Sequence, residues 1–182
     1  MGEEKQPPVV KLFFGLLFSD EEILERMEKR IINDYGDIDG KSPIILFDKT
    51  TYYVKELGEG ILRGFLSIQR LIDMELLPSI KTQTNTLEKL FAHPDGRRRI
   101  NIDPGYLSLS KVVLATTKDY DHRLYLGKNI YGEVTLHYRG NEKSYQPWEW
   151  TYPDYREKST LDFFNQIREI YKRQIRGKNE IS

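Results

Sequence analysis

Ten consecutive residues near the start of the chain, 9–18 (VVKLFFGLLF), are apolar except for one lysine and one glycine. A run without inward–outward alternation has no face to give to water. It therefore reads as a central strand buried on both sides. It is too short to span a bilayer, and Lys11 interrupts it.

The residues that follow are helical in pattern. Ser19-Asp20-Glu21-Glu22 fits a capping box, with Ser19 as N-cap and Glu22 answering it. Ile23, Leu24, Met27 and Ile31 then recur at helical spacing, and Gly36 suits the stop. Residues 43–47 and 62–71 read as two more strands, joined by a loop carrying Tyr52, Tyr53, Gly58 and Gly60. Pro78 near a helix start, followed by Leu87, Leu90 and Phe91, predicts a second helix over 78–92. The Thr- and Asn-rich stretch 82–86 works against it. Residues 99–102 give a short fourth strand. The order is β-α-β-β-α-β, so the expected fold class is α+β with a ferredoxin-like core. A C-terminal β-hairpin extension and a final helix over 159–176 complete it, with Phe163, Phe164, Ile167, Ile170, Tyr171 and Ile175 on the buried side. One domain over 1–182 is expected, with 1–8 as a flexible arm and 177–182 as a frayed tail.

Composition narrows the chemistry. The chain has no cysteine, which excludes disulfides, thiolate metal sites and a Cys nucleophile. Its 28 basic and 28 acidic side chains cancel, so bulk charge gives no argument for nucleic acid or membrane. The first eight residues are polar and acidic, unlike a signal peptide. A cytoplasmic protein without membrane contact is the expectation. Oligomeric state is not encoded in any visible feature.

Residues 101–155 are the densest in chemistry. They hold eight of the 12 tyrosines and both tryptophans. Threaded among these are Asp103, Lys111, Lys118, Asp119, His122, Arg123, Glu133 and His137. Asp103-Pro104-Gly105-Tyr106 has the residues of a type II turn. The segment 108–118 has strand-forming Val112, Val113, Thr116 and Thr117, but helical spacing of Leu109, Val112, Val113 and Thr116; a helix is slightly favoured. Residues 123–126 and 130–138 form a hairpin about Gly127-Lys128-Asn129. A three-residue loop there sets Leu126 opposite Ile130, Tyr125 opposite Tyr131 and Arg123 opposite Glu133. Arg123, Tyr125, Tyr131, Glu133, Thr135 and His137 then share one face. Leu124, Leu126, Val134 and Leu136 share the other. The polar row is either an ordinary solvated sheet face with one weak ion pair, or the floor of a cleft. Trp148, Trp150, Tyr152 and Tyr155 surround Pro147 and Pro153, an aromatic strap that packs on a core or stacks a ligand ring.

Other motifs carry less. Gly36–Ser42 is one residue short of a phosphate loop and leads into a strand rather than a helix, so it reads as a polar turn. Asp119, Asp121 and His122 do not have the spacing of a known zinc or calcium site, and no metal is expected. Arg97-Arg98-Arg99 and the helical stripe Arg168, Lys172, Arg176 could hold phosphates, or simply complement a helix dipole.

The opening VKLFFGLLFSDEEIL, the block NIDPGYLSLSKVVLATTKDYDHRLYLG, the hairpin IYGEVTLHY and the closing WTYPDY resemble the bacterial family called domain of unknown function 4416. The resemblance spans nearly the whole chain and implies no established activity or cofactor. The residues themselves leave two readings. One is a non-enzymatic binder of a nucleotide, RNA or other anionic small molecule, held by Lys111, Lys118, Arg123, Tyr125, Tyr131 and His137. The other is an enzyme acting on a phosphate-bearing substrate, with an acid–base or metal-assisted centre at Asp103, Asp119, His122 and Glu133.

Overall fold

A computed structural model describes residues 2–48 and 53–179, with the side chains of Lys55, Lys178 and Asn179 left aside. Tyr52, placed in a loop from sequence, lies outside the described residues. The apolar run becomes β1 (Val10–Phe18), in which every residue is buried. Helix α1 (Glu21–Tyr35) follows. Its cap is Asp20, not Ser19: the Asp20 carboxylate accepts from the Glu22 N–H at 2.9 Å. The Ser19 hydroxyl instead donates to the Leu57 carbonyl at 2.6 Å. Gly36, at φ 104°, ends the helix in a backbone region that favours glycine.

The rest of the chain order is β2 (Ile38–Lys41), β3 (Ile45–Leu46), α2 (Val54–Leu57), β4 (Leu62–Ile72), α3 (Leu77–Leu90), β5 (Ile100–Leu107), β6 (Lys111–Thr116), β7 (Leu124–Gly127), β8 (Ile130–Arg139), β9 (Ser144–Pro147), α4 (Pro153–Arg156) and α5 (Lys158–Asn179). The fold is α+β around one large antiparallel sheet. It runs β2-β4-β1-β5-β6-β8-β7, with β3 added on β4 and β9 on β8. Four strands were expected in the core, with a hairpin appended; the structure instead joins all nine into a single sheet. Residues 2–9 carry no regular structure. Helix α5 continues into the segment expected to fray.

Both faces of β1 are covered, as its sequence demands. Leu12, Phe14, Leu16 and Phe18 point to one face, where Ile23, Met27 and Ile31 of α1 and Ile80 and Leu87 of α3 pack on them. Phe13 points to the other, where α5 brings Phe163, Phe164, Ile167 and Tyr171 against Phe65, Tyr145 and Tyr155. Lys11, though fully buried, is held at 2.5 Å by Asp39, which also accepts from Ser67, and by the Ile68 carbonyl and Gln174. The pairing satisfies a charge that burial alone would make very costly.

Three local expectations are corrected. Residues 38–41, read as part of a polar turn, are an edge strand on β4. The favoured helix over 108–118 is β6, because its β-branched residues pack into the sheet between β5 and β8. The DPGY tetrapeptide is no turn; β5 runs straight through it, with Pro104 opposite Phe14 and Gly105 opposite Phe13. Gly105 is required by packing: a Cβ there would overlap the Phe13 ring and the Val113 carbonyl.

Pro104 stands where the sheet divides. The β5–β6 ladder covers only Gly105, Tyr106 and Leu107. Upstream, the β5 edge turns to α3 instead. The Ile102 N–H donates to Glu88 at 2.7 Å, and its carbonyl accepts from Lys81 at 2.9 Å and more distantly from Thr84. By two-residue alternation the Pro104 nitrogen points to this same edge, where a missing N–H costs no ladder bond. The strands β5 and β6 therefore diverge, and the gap between them is a cleft.

Candidate cleft between the diverging strands

The cleft holds about 500 Å³, a volume in the range of small-molecule sites. Its walls come from β5 (Asn101, Asp103), β6 and the residues after it (Leu114 to Lys118), α3 (Lys81, Asn85, Glu88), and the strap through α4 (Tyr152 to Tyr155). Arg63 of β4, Arg98 and Arg123 complete a ring of charge with Glu133.

These charges are paired across the cleft. Arg123 donates through Nε to Glu133 at 2.7 Å, and both side chains are 1% exposed. Arg123 also donates to the Lys118 carbonyl at 3.0 Å and the Tyr152 hydroxyl at 3.1 Å, and lies over the Tyr120 ring. Burial works against the Arg123 charge, but Glu133 and Tyr152 more than offset it and hold the guanidinium protonated. Arg63 pairs with Asp154 at 2.5 Å with both nearly fully buried. Burial opposes that charge as well, and Asp154 outweighs it. Lys81 reaches Asp103 at 3.1 Å, and Asn101 donates to the same carboxylate at 2.7 Å. Arg98 joins Glu88, Glu56 and Asn101.

Two carboxyls of this ring are pushed in opposite directions. Burial raises Glu88 above the usual carboxylate range, with Lys81 opposing. Burial also acts on Asp103, but the charges of Lys81 and Arg63 prevail and hold it below that range. Two donors on lining residues have no partner: Arg63 Nη1 and the Tyr155 hydroxyl, both buried.

The hairpin register is as its sequence predicts at Tyr125, which faces Tyr131, and the Arg123–Glu133 pair forms. The loop is shorter than the expected three residues. Gly127 faces Ile130, Lys128 and Asn129 make the turn at φ 55° and 60°, and a bulge absorbs Leu126. At part of the hairpin, burial is the reverse of an ordinary solvated sheet, although Tyr125 is exposed and Leu136 buried. Glu133, Thr135 and Arg123 are buried, whereas Leu124 is 75% exposed. The polar end of the row faces the cleft rather than water.

Among the sequence candidates, Asp103, Glu133, Lys118 and Arg123 line the cleft. His122 touches it from outside, its Nε2 at 3.2 Å from Glu133. Asp119 is exposed beside Tyr131. Lys111 stands opposite His137 in the strand register at the far end of β6. Tyr125 and Tyr131 pack edge to face at the exposed end of the hairpin. His137 lies 4.0 Å from the Trp148 ring. That contact belongs to a ladder in which Trp148 stacks on Trp150, and Trp150 on His122. The strap thus packs on the sheet, and its Thr151 hydroxyl bonds the Thr135 carbonyl at 2.6 Å.

The Arg97-Arg98-Arg99 knot does not act as a unit. Arg97 pairs with Asp95, Arg99 with Asp20, and only Arg98 lines the cleft. Arg168 of the helical stripe lies over the Tyr138 ring and donates to the Leu109 carbonyl. Among the described residues no three His, Cys, Asp or Glu side chains are arranged to hold a metal ion. No helix there is long and apolar enough to cross a membrane.

Sequence reasoning missed Arg63, Lys81, Glu88 and Asp154, and found Arg98 only as part of its arginine knot. A signal existed for three of them. Arg63 is a lone charge among Leu62, Phe65 and Leu66 in the first half of β4. Lys81 and Glu88, seven residues apart, share one helical face next to buried Ile80 and Leu87.

A family model described as Domain of unknown function (DUF4416) matches residues 8–171. The chain belongs to that family. Comparison with curated proteins and comparison with solved structures each found no match.

Proposed function

We propose that this DUF4416 member binds one small anionic molecule in the cleft between β5 and β6. The observation that carries the reading is the convergence of Arg63, Lys81, Arg98, Lys118 and Arg123 on one cleft of about 500 Å³. A cleft of that volume accommodates one small molecule rather than a polymer. Of the candidate ligand contacts, Lys118 and Arg123 stay in the proposal, and Lys111, Tyr125, Tyr131 and His137 leave it.

The test is a thermal-shift panel of phosphate-bearing, carboxylate-bearing and neutral metabolites. Anionic compounds raise the melting temperature by mass action, and Lys118→Ala reduces the rise. A panel in which only neutral or cationic compounds stabilise the protein contradicts the reading.

An acid–base enzyme is the second reading, favoured by the opposed shifts of Glu88 and Asp103 within one cleft. In it Glu88, whose carboxyl burial raises, is the group placed to exchange a proton with the ligand, beside Asp103. Turnover of a bound ligand that Glu88→Gln abolishes while leaving binding intact supports it over simple binding.

The half-sheet β2-β4-β1-β5, with α1 and α3 on one face, supports reading the first half as a ferredoxin-like unit. A cytoplasmic, bacterial setting belongs to the same proposal.

A further inference from the structure

The strands β4 and β1 place Phe65 opposite Gly15, and β5 places Asp103 opposite it on the other side. Gly15 is thus at the centre of the sheet with no side chain. Its bare Cα makes room for two groups. A Cβ at this position would lie 3.0 Å from the Tyr155 hydroxyl and 3.2 Å from Arg63 Nη1. Both are buried donors that have no partner. Their residues are 0% and 4% exposed, and both line the cleft. A buried donor left unpaired is costly, so a pair of them converging over one glycine calls for an acceptor.

The donors are held rigidly. The Tyr155 ring is edge to face with Phe65 and stacked on Phe164, and the Arg63 guanidinium lies over it. Arg63 Nε and Nη2 are already committed to Asp154. That leaves Nη1 as its open nitrogen.

We propose that Arg63 Nη1 and the Tyr155 hydroxyl form a subsite for a carboxylate group of the cleft ligand. The proposal rests on the reading of the cleft as a small-anion site and narrows its chemistry. A carboxylate suits the place because it is planar, singly charged and well matched to a guanidinium nitrogen. A phosphate dianion does not. Asp154 already shares the Arg63 charge and Asp103 lies across the strand, so each added negative charge is less favourable there and a dianion is worse placed than a monoanion.

Calorimetric titration of the intact chain with succinate, acetate and inorganic phosphate, at constant ionic strength, tests this. Succinate should bind more tightly than phosphate. Tyr155→Phe, which keeps the ring and its packing, should weaken succinate about tenfold by removing one donor to a charged acceptor. Arg63→Lys, which keeps a cation opposite Asp154 but removes Nη1, should weaken it at least as much. Succinate binding unchanged in both variants overturns the subsite while leaving the cleft as an anion site. Tighter binding of phosphate than of succinate also overturns it. Absence of binding by all three anions, together with a silent thermal-shift panel, removes the broader reading as well.

Discussion

Arg123 and Glu133 show what a charged residue does when strand pairing carries it inward. Each side chain is 1% exposed, so neither has water to fall back on. Glu133→Gln should destabilise the protein by about 3–5 kcal/mol, read by urea unfolding, because it leaves a guanidinium buried without its counter-charge. Asp103 gives a second residue-scale prediction. Its carboxyl is held below the usual range in the folded state. The stability it contributes is complete above the unfolded value of about 3.9 and is lost as pH falls through the folded value. Asp103→Asn should therefore be less stable at neutral pH and show a flatter loss of stability below about pH 4. The identity of these residues was visible in sequence, and so was the pairing of Arg123 with Glu133, since period two fixes which residues face each other; the pairing of Asp103 with Lys81 was not. Their burial was not. Nothing local says that Glu133 faces a cleft and Leu124 faces solvent.

At the scale of elements, the strands that misled were those whose composition answers to tertiary contacts. Pro104-Gly105 has turn chemistry, yet the proline falls on an edge that has no ladder and the glycine lies under the Phe13 ring. Gly105→Ala should then cost stability, by about 1–3 kcal/mol from overpacking, measured by thermal unfolding. A turn glycine in open space would not resist a methyl in this way. The hairpin makes the opposite prediction. Lys128 and Asn129 both sit at positive φ, a region that costs ordinary L-residues about 1–2 kcal/mol. Replacing the pair by Asn-Gly should raise stability by about 1 kcal/mol without altering the cleft. Helices α1 and α5 were legible because one apolar stripe each sufficed to specify them. The segment 108–118 was not, because its spacing fits a helix while its β-branched residues fit the sheet that β5 and β8 provide.

At the scale of the whole molecule, the strands among the described residues form one nine-stranded sheet, opened at one place. Its first half was readable as an order of elements, since β1 has to be central and two amphipathic helices have to cover it. The cleft was not readable, because its charges come from β4, α3, β5, β8 and the strap, separated by up to 91 residues between Arg63 and Asp154. Only the fold brings them together. The central claim is that this opening, and not the exposed ladder of Trp148, Trp150 and His122, receives the ligand. A crystal structure of the chain with the strongest stabilising anion from the thermal-shift panel tests it most directly. The account predicts ligand density between β5 and β6, in contact with Arg63, Lys118 or Arg123. Density confined to the tryptophan ladder, with the cleft holding only solvent, would contradict it.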